Sequence, residues 1–190
     1  MTASARITTG RPLANSGHIN LVQGEYAVSA DADVALTTIL GSCVAACLRD
    51  ARASVGGMNH FLLPGALVGK TDSVERGVHA MELLINDLLK AGARRDRLEA
   101  KIFGGARMMK NLSDIGAKNA SFAADFLRQE GIPIVGGSTG GDQARRIRFW
   151  PANGKAQQRI LGQNEAHVFA RELSIAAAPV APPSDDVEFF

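Results

Sequence analysis

Residues 34–50 read Val-Ala-Leu-Thr-Thr-Ile-Leu-Gly-Ser-Cys-Val-Ala-Ala-Cys-Leu-Arg-Asp and combine an extended segment, a turn and a second apolar run. Val34–Leu40 is rich in β-branched and aliphatic residues, a composition that favours a strand. Gly41 follows this segment and permits a tight turn with a positive φ. Val44–Leu48 is apolar throughout and too short for its periodicity to separate a strand from a helix. The stretch therefore predicts a strand that ends in a sharp turn at Gly41–Cys43.

Helical periodicity appears downstream of this stretch. A first helix is predicted over Ser73–Ala91, with Asp72 as its N-cap residue and Gly92 at its C-terminal end. Its apolar face is formed by residues at steps of three and four, namely Val78, Met81, Leu84, Ile85, Leu88 and Leu89. A second helix is predicted over Asp114–Glu130, and a last short one over Glu165–Leu173.

Further strands are indicated by short apolar or alternating runs. They are predicted at Ile19–Ser29, Ser54–Leu63, Leu98–Ile102, Ile132–Val135, Arg145–Trp150 and Lys155–Leu161. The residues Pro151–Gly154 have the composition of a hairpin turn between the last two strands. Because strands outnumber helices, the pattern predicts an α/β fold with a mixed sheet in preference to a doubly wound one.

The composition is that of a globular protein. Of the 190 residues, 46% are apolar and 21% are charged, which excludes a wholly disordered chain. No run of 18 strongly apolar residues occurs, so we expect no transmembrane helix. The formal net charge of +2 lacks the basic excess typical of nucleic-acid-binding domains. Residues 1–18 lack the apolar segment of a signal peptide, and the two cysteines are expected to be reduced thiols in the cytoplasm.

Both ends of the chain differ in composition from its middle. Residues 1–18 are rich in Thr, Ser, Ala, Gly and Asn without a period, so we expect a flexible N-terminal arm. Residues 174–190 contain an Ala- and Pro-rich run and a mostly acidic end, which favour a flexible tail. One folded domain is therefore predicted over residues 19–173.

Cys43 is the candidate nucleophile of this domain. A nucleophile on a sharp turn after a strand is expected to be exposed, with backbone N–H groups that point at a developing oxyanion. A thiolate at neutral pH needs an adjacent base or a positive field, and His60 follows seventeen residues later in a second, glycine-broken strand. Two neighbouring strands would bring Cys43 and His60 within hydrogen-bond reach. Thr37 or Thr38 would accept the other ring N–H and fix the tautomer.

Other interpretations of the same residues are open. A cysteine beside apolar residues is commonly a small buried hydrophobe, and Cys47 is expected in the core. A metal site of Cys43, Cys47 and His60 is conceivable, but zinc takes four ligands and a fourth has no obvious candidate. The glycine pairs at 104–105 and 136–141 lack the Walker and dinucleotide-binding patterns. We interpret them as turns or as walls of a cleft.

Six segments together resemble the signature of a known family. They are Thr-Thr-Ile-Leu-Gly-Ser-Cys-Val-Ala-Ala-Cys-Leu-Arg-Asp (37–50), Gly-Gly-Met-Asn-His-Phe-Leu-Leu-Pro (56–64), Ala-Met-Glu-Leu-Leu-Ile-Asn (80–86), Ala-Lys-Ile-Phe-Gly-Gly-Ala (100–106), Ile-Gly (115–116) and Gly-Ile-Pro (131–133). In this order they resemble the chemoreceptor glutamine deamidases of the CheD family. The resemblance covers residues 24–161, and only the two ends of the chain lie outside it.

The resemblance implies a fold, an activity and partners. The fold is an α/β/β layered sandwich related to the deamidating cytotoxic necrotizing factor toxins. The implied catalytic set, by motif position, is Cys43, His60 and Thr37. The implied reaction hydrolyses selected glutamine side chains of methyl-accepting chemotaxis receptors to glutamate in chemotaxis adaptation, and some members also demethylate receptor glutamyl esters. No metal or organic cofactor is implied. The implied partners are the cytosolic receptor domains and, in organisms that have one, a CheC-type phosphatase.

A docking rim for the receptor is expected from two features. Gly104 and Gly105 would allow close approach of a receptor helix. Arg145 and Arg146 follow the 136–141 loop and would meet an acidic receptor face, or else be ordinary solvated strand residues. That loop is smaller and less acidic than the resemblance leads us to expect. The alternative function is a non-catalytic binding module that tunes receptors or a phosphatase.

Overall fold

The computed structural model describes residues 6–7, 17–63, 70–108 and 114–162. Within them the strands are β1 Arg6–Ile7, β2 His18–Asn20, β3 Tyr26–Ser29, β4 Ala35–Leu40, β5 Val44–Asp50, β6 Val55–Asn59, β7 Leu98–Gly104, β8 Ile134–Thr139, β9 Arg145–Trp150 and β10 Lys155–Ile160. The helices are α1 Lys70–Lys90 and α2 Ile115–Gln129, and a 3₁₀ turn at Arg95–Arg97 precedes β7.

The strands form two mixed sheets. The six-stranded sheet has the order β1-β3-β6-β5-β7-β8, and the four-stranded sheet has the order β10-β9-β4-β2. Most neighbouring strands are antiparallel, whereas β7 with β8 and β2 with β4 are parallel pairs. The predicted mixed-sheet α/β class is therefore confirmed.

Two hydrophobic cores separate three layers. One core lies between the helices and the six-stranded sheet, and its α1 members are Met81, Leu84, Ile85 and Leu88. The other lies between the two sheets and includes Leu36, Leu40, Ala45, Cys47, Met58, Ile147 and Phe149. The order helices, sheet, sheet is the α/β/β sandwich that the resemblance implies.

Strand β5 shows why the run at 44–48 had no clear period. Val44, Ala46 and Leu48 face the helices, whereas Ala45 and Cys47 face the four-stranded sheet. Successive side chains of a strand point to opposite faces, and here both faces are covered by a core. A central strand between two cores is apolar at every position, so alternation of polar and apolar residues does not appear.

Both long helices are present, and the first begins earlier than predicted. Helix α1 begins at Lys70, so Asp72 lies inside it and the prediction of Asp72 as the N-cap residue is wrong. Val78, predicted on the apolar face, is 37% exposed. Helix α2 begins at Ile115, next to its predicted start, and Asp114 is its N-cap residue, because the Asp114 carboxylate accepts a hydrogen bond of 2.8 Å from the Ala117 N–H.

Two strand predictions need correction, and part of the N-terminal segment lies in a sheet. For the segment Ile19–Ser29 the sequence predicts a strand pair or one bent strand, and both are wrong, because β2 lies in the four-stranded sheet and β3 in the six-stranded one. The strand predicted at Ile132–Val135 lies instead at β8 and runs through Gly136 and Gly137, which we had interpreted as a turn or a cleft wall. In the predicted flexible arm, β1 pairs with β3, so Arg6–Ile7 belongs to the sheet.

The β9–β10 hairpin is confirmed, with Trp150 opposite Lys155. The last predicted helix, Glu165–Leu173, and the tail at 174–190 lie outside the described residues. The division into arm, domain and tail stays a prediction. No helix among the described residues combines the length and apolar character needed to cross a membrane.

Candidate active site

The turn at Gly41–Cys43 lies at the edge of the core between the sheets. Cys43 is only 4% exposed and packs in that core, so the expectation of an exposed thiol is wrong. The Cys43 carbonyl accepts a hydrogen bond from the Gly105 N–H, and the Gly41 carbonyl accepts one from the Ala106 N–H, both at 2.8 Å. These bonds fix the turn to the end of β7.

His60 follows β6 and lies on a segment adjacent to the Cys43 turn. Phe61, the next residue, exchanges two backbone hydrogen bonds of 3.0 and 2.9 Å with Val44, the residue after Cys43. The backbone of His60 is also held by residues 24–25, through bonds of 2.7 and 2.9 Å. The structure thus brings together the two segments that carry the candidate nucleophile and the candidate base.

The hydroxyl beside the His60 ring belongs to Thr38. Thr38 Oγ1 lies 2.8 Å from His60 Nδ1 and 2.7 Å from the Leu21 carbonyl oxygen. A hydroxyl has one proton to donate, and the carbonyl can only accept, so that proton goes to Leu21. Oγ1 must then accept the Nδ1–H of the imidazole. The arrangement places the ring proton on Nδ1 and leaves the Nε2 lone pair available.

Thr37, which the resemblance assigned to the catalytic set, does not contact His60 in this structure. Its Oγ1 donates a hydrogen bond of 2.9 Å to the Ile147 carbonyl on the neighbouring strand β9. Because side chains alternate along β4, Thr38 points into the inter-sheet core and Thr37 points to the outer face. The predicted contact of Thr37 with the ring is therefore wrong, and the alternative, Thr38, makes it.

The environment of His60 keeps its ring neutral. Burial lowers the pKa of His60 from 6.5 to about 4. A second, longer contact of 3.5 Å from the same Nδ1–H to the Leu21 carbonyl opposes this shift only in part. His60 Nε2 is buried and has no hydrogen-bond partner among the described residues. A neutral imidazole with Nε2 uncommitted is a proton acceptor at neutral pH.

Gln23 is a site residue that the sequence did not reveal. It lies in the loop between β2 and β3, and its Oε1 lies 3.6 Å from Cys43 Sγ, within hydrogen-bond distance for sulfur. The carboxamide therefore accepts from the thiol and shields it. Neither periodicity nor a motif distinguishes this loop position, so no sequence signal pointed to it.

Asn119 of helix α2 joins the segments that carry the candidate nucleophile and the candidate base. Its side chain is fully buried. Nδ2 donates a bond of 2.9 Å to the Ser42 carbonyl, next to Cys43, and Oδ1 accepts one of 2.8 Å from the Leu63 N–H. Only a side chain with both a donor and an acceptor can bridge these two backbone groups. The one available signal was a polar residue on the apolar side of the predicted helix.

The glycines proposed for receptor docking have a different role. Gly104 and Gly105 are buried against the turn that carries Cys43. Gly104 has a φ of +105°, and a Cβ atom there would lie 2.2 Å from the Cys43 carbonyl oxygen. Gly104 is needed so that β7 can approach the turn, whereas a Cβ atom at Gly105, with a φ of +66°, would lie 2.8 Å from the Gly116 carbonyl oxygen of helix α2. Their assignment to an exposed rim is wrong.

Arg145 is also buried, with 3% of its surface exposed. Its Nη1 donates to the Ser138 carbonyl at 2.9 Å, and its Nη2 contacts the Gly140 carbonyl. Burial lowers the pKa of Arg145. The guanidinium therefore anchors the loop between β8 and β9, and its assignment to receptor docking is wrong. Its neighbour Arg146 is exposed.

The second cysteine and a cleft complete the site region. Cys47 is 2% exposed, as predicted for the core, and burial raises the pKa of its thiol, which opposes reactivity.

A cleft of about 480 Å³ lies beside His60, between residues 23–26, residues 59–62 and helix α1. It offers room for a partner side chain next to the candidate base. Within the described residues, no group of three or more His, Cys, Asp or Glu side chains is placed to hold a metal ion.

Comparisons with known proteins give a consistent result. Residues 62–160 match a family model described as CheD chemotactic sensory transduction. A probable chemoreceptor glutamine deamidase CheD of Caulobacter sp. (strain K31) is 57% identical over 174 residues, which cover 90% of this chain and 92% of that protein. A protein of the same name from Rhizobium leguminosarum bv. trifolii (strain WSM2304) is 54% identical over 178 residues, which cover 90% of this chain and 95% of that protein.

A more distant similarity is found among solved structures. The Neisseria meningitidis protein NMB0706, of family-model DUF152, is 10% identical with a TM-score of 0.43, and the match covers 66% of this chain and 62% of that chain. Cys43 and His60 both precede the first residue of the family-model match, Leu62.

Proposed function

Because this chain belongs to the CheD family, we propose that it is a protein-glutamine deamidase that converts glutamine side chains of chemoreceptors to glutamate in chemotaxis. The name chemoreceptor glutamine deamidase is carried by relatives at 54% and 57% identity that match 90% of the chain. The observation that carries the mechanism is the state of His60. Its Nδ1 is committed to Thr38, its Nε2 is unpartnered among the described residues, and its segment is bridged to that of Cys43.

The first half-reaction forms an acyl-enzyme. Nε2 of His60 takes the proton of the Cys43 thiol as sulfur attacks the Cδ carbon of the substrate glutamine. The amide C=O becomes a tetrahedral oxyanion, which backbone N–H groups of the turn would stabilise. When this intermediate collapses, the C–N bond breaks and the imidazolium gives its proton to the departing nitrogen, which leaves as ammonia. A thioester between Cys43 and the glutamyl side chain remains.

The second half-reaction hydrolyses the thioester. His60 takes a proton from water, the hydroxide attacks the same carbon, and the sulfur leaves as the thiol when the imidazolium returns the proton. The product is a glutamate carboxylate, which adds one negative charge to the receptor surface. Charges on neighbouring helices repel each other, so each event changes the balance between receptor packing states.

Thr38 acts on the reaction through the ring and does not touch the substrate. By accepting the Nδ1–H while it donates to Leu21, its hydroxyl selects the tautomer in which Nε2 is basic. Burial also disfavours an imidazolium in the resting enzyme. The imidazole is therefore neutral at rest and can take the thiol proton as the bond to substrate forms.

Mass spectrometry of a receptor domain tests the activity. Incubation of the protein with the cytosolic domain of a chemoreceptor from the same genome should raise the mass of individual peptides by about one dalton per site, as expected for amide-to-acid hydrolysis by a thiol. Cys43→Ala should abolish the shift. Cys47→Ala is the matched control, because Cys47 is a core residue, and it should retain activity. His60→Ala should lower kcat by about 10²- to 10⁴-fold, the usual contribution of a general base.

Two results would contradict this mechanism. Equal deamidation by Cys43→Ala and the unmodified protein would exclude the thiol as nucleophile. Receptor binding of normal affinity with no mass shift under any condition would favour the non-catalytic binding module.

Three finer points rest on the family resemblance and extend the proposal. A glutamyl methyl ester presents the same carbonyl carbon to the thiol, so the site is also expected to hydrolyse receptor esters. A CheC-type phosphatase is proposed as a regulatory partner where the organism has one. The cytoplasm is the proposed location, because the receptor domains that carry the substrate glutamines lie there.

A further inference from the structure

The outer face of the four-stranded sheet is basic. On β9, Ile147 and Phe149 point into the inter-sheet core, so Arg146 and Arg148 point outward, and both are exposed. On the neighbouring strand, Lys155 lies opposite Trp150 and therefore shares this face. Gln157 and Arg159 also lie on this face, opposite Arg148 and Arg146. We call this surface the basic face.

The described strands of this sheet supply no acidic side chain to the basic face. In the described strands β2, β4, β9 and β10 there is no Asp or Glu. Arg146 and Arg148 alternate along one strand with one residue between them, so their charges are close neighbours. The formal net charge of the whole chain is only +2, so the charge of this face is a local feature. A concentrated positive surface attracts a negatively charged partner and raises its association rate.

The basic face leads toward the candidate active site. Arg146 lies opposite Ile39 on β4, and Arg148 lies opposite Thr37. Cys43 follows Ile39 by four residues, on the turn that directly continues β4. A partner seated on Arg146 and Arg148 would therefore lie next to the strand that delivers the nucleophile.

Two features favour a protein partner over nucleic acid or membrane. The aromatic ring of Trp150 has the Arg148 guanidinium 5.8 Å and the Lys155 ammonium 5.4 Å from its centroid. The ring is thus engaged by cations and does not offer the free stacking platform that single-stranded nucleic acids use. Of the large apolar side chains known to be exposed, only Ile160 lies in this sheet, and it is opposite the inward-pointing Arg145. The face therefore lacks the apolar anchors of a membrane-binding surface.

We propose that the basic face docks an acidic surface of the chemoreceptor substrate next to β4, the strand that leads to the Cys43 turn. This inference rests on the proposed function for the identity of the partner. It moves receptor docking away from Gly104, Gly105 and Arg145, which are buried, and retains Arg146. Arg148 and Lys155 are new members of the docking surface.

A double charge reversal tests the proposal. Arg146→Glu/Arg148→Glu is compared with Lys118→Glu/Arg128→Glu, which changes the net charge equally on the exposed side of α2, across the molecule from the basic face. Each pair is placed in the Cys43→Ala protein, so that turnover does not alter the receptor. The measured quantity is the Kd for the purified cytosolic domain of a chemoreceptor, at low salt of about 25 mM and at about 300 mM, where screening is strong.

The basic-face reversal should weaken binding at low salt by about tenfold or more, because electrostatic steering alone spans about 10- to 1000-fold. The loss should shrink at high salt, and the α2 control should bind like the parent. The neutral pair Arg146→Gln/Arg148→Gln should give an intermediate loss. This pair removes the charges without adding carboxylates, so it keeps the test valid if the reversal disturbs folding, as judged by Tm.

Three outcomes would overturn the proposal. One is an unchanged Kd at low salt in both basic-face variants. A second is an equal loss in the α2 control. The third is tighter binding of a single-stranded oligonucleotide, or of vesicles containing phosphatidylglycerol, than of the receptor domain, with the same dependence on Arg146 and Arg148.

Failure of this proposal is distinguishable from failure of the proposed function. In the Cys43-containing protein, the basic-face reversal should raise KM for the receptor domain and leave kcat/KM for a short glutamine peptide unchanged, because remote contacts contribute uniform binding. Deamidation of the receptor with no effect of the reversal would remove only the docking surface. Salt-dependent binding without deamidation would remove only the enzymatic activity.

Discussion

Acidification from pH 7 to pH 4 should weaken the fold through His60, whose side chain is 3% exposed. Burial lowers the pKa of His60 from 6.5 to about 4. Between these values the unfolded chain binds a proton at this residue and the folded chain does not. The free energy of unfolding therefore falls as the pH falls through this window. Above pH 6.5 the contribution of His60 is fully present.

The size of the effect follows from the width of the window. The shift from 6.5 to about 4 spans roughly 2.5 pH units, and each unit is worth about 1.36 kcal/mol. Acidification should therefore lower the free energy of unfolding by about 3 kcal/mol. Domains of this kind have a total stability of about 5–15 kcal/mol. The loss is thus large enough to measure by equilibrium unfolding.

Urea unfolding of the unmodified protein and of His60→Gln at pH 7.5, 6, 5 and 4 measures the effect. Glutamine is uncharged, so the variant has no titration in this pH range, and the difference between the two proteins isolates the contribution of the imidazole.

Asp50 contributes to the pH dependence of stability at lower pH. Burial alone would raise the pKa of Asp50, but three backbone N–H donors and the Arg97 guanidinium outweigh it and lower the pKa. Its stabilisation is present above the ordinary value of about 4 and is lost only below it.

An equal loss of stability in the two proteins between pH 7.5 and pH 4 would contradict this prediction. That result would mean that the folded chain protonates His60 as readily as the unfolded chain does. The neutral ring with a free Nε2 would then be an incorrect description of the resting site. An NMR titration of the His60 ring, with a midpoint near 6.5 in place of about 4, would lead to the same conclusion.

Three further substitutions separate the roles of neighbouring residues. Thr38→Ala should lower kcat/KM roughly tenfold, the equivalent of about 1.4 kcal/mol and so of one good hydrogen bond. Thr37→Ala should leave kcat/KM nearly unchanged, and steady-state deamidation rates of the two variants decide between them. Gln23→Ala should speed the alkylation of Cys43 by iodoacetamide, followed by peptide mapping, and an unchanged rate would mean that the carboxamide does not shield the thiol. Asn119→Ala should lower the free energy of unfolding by about 2 kcal/mol in urea, because two partly buried backbone groups lose their partners, and a loss below about 1 kcal/mol would show that water replaces the side chain.

Much of the fold followed from local pattern. The period of α1 located its buried face, and the residues at 151–154 located the hairpin between β9 and β10. These features depend on residues close in sequence, whose spacing on a helix or in a turn is fixed by backbone geometry. The start of α1 and the extent of β8 did not follow. Helix ends are set by competing local contacts, and Gly136 and Gly137 lie in a strand because β7 offers a backbone to pair with.

The candidate site was predictable in chemistry and less so in geometry. Cys43 and His60 were found from a cysteine on a glycine turn and a histidine on the next glycine-broken strand. The partner of the ring could not be read in the same way, because Thr37 and Thr38 are chemically identical. Gln23 and Asn119 gave little signal, because a loop amide and a helix amide are ordinary residues until the fold aims them.

The sequence by itself determined the order of strand, turn and helix, the thiol and imidazole, and the family to which the chain belongs. The tertiary structure decided which side chains meet. Pairing of β4 in the four-stranded sheet turned Thr38 inward to the His60 ring and Thr37 outward. The same alternation on β9 buried Arg145 as a loop anchor and exposed Arg146 and Arg148 on the basic face. The physical reason is the two-residue period of a strand, which gives adjacent residues opposite surroundings, while the sequence does not state which face the core will cover.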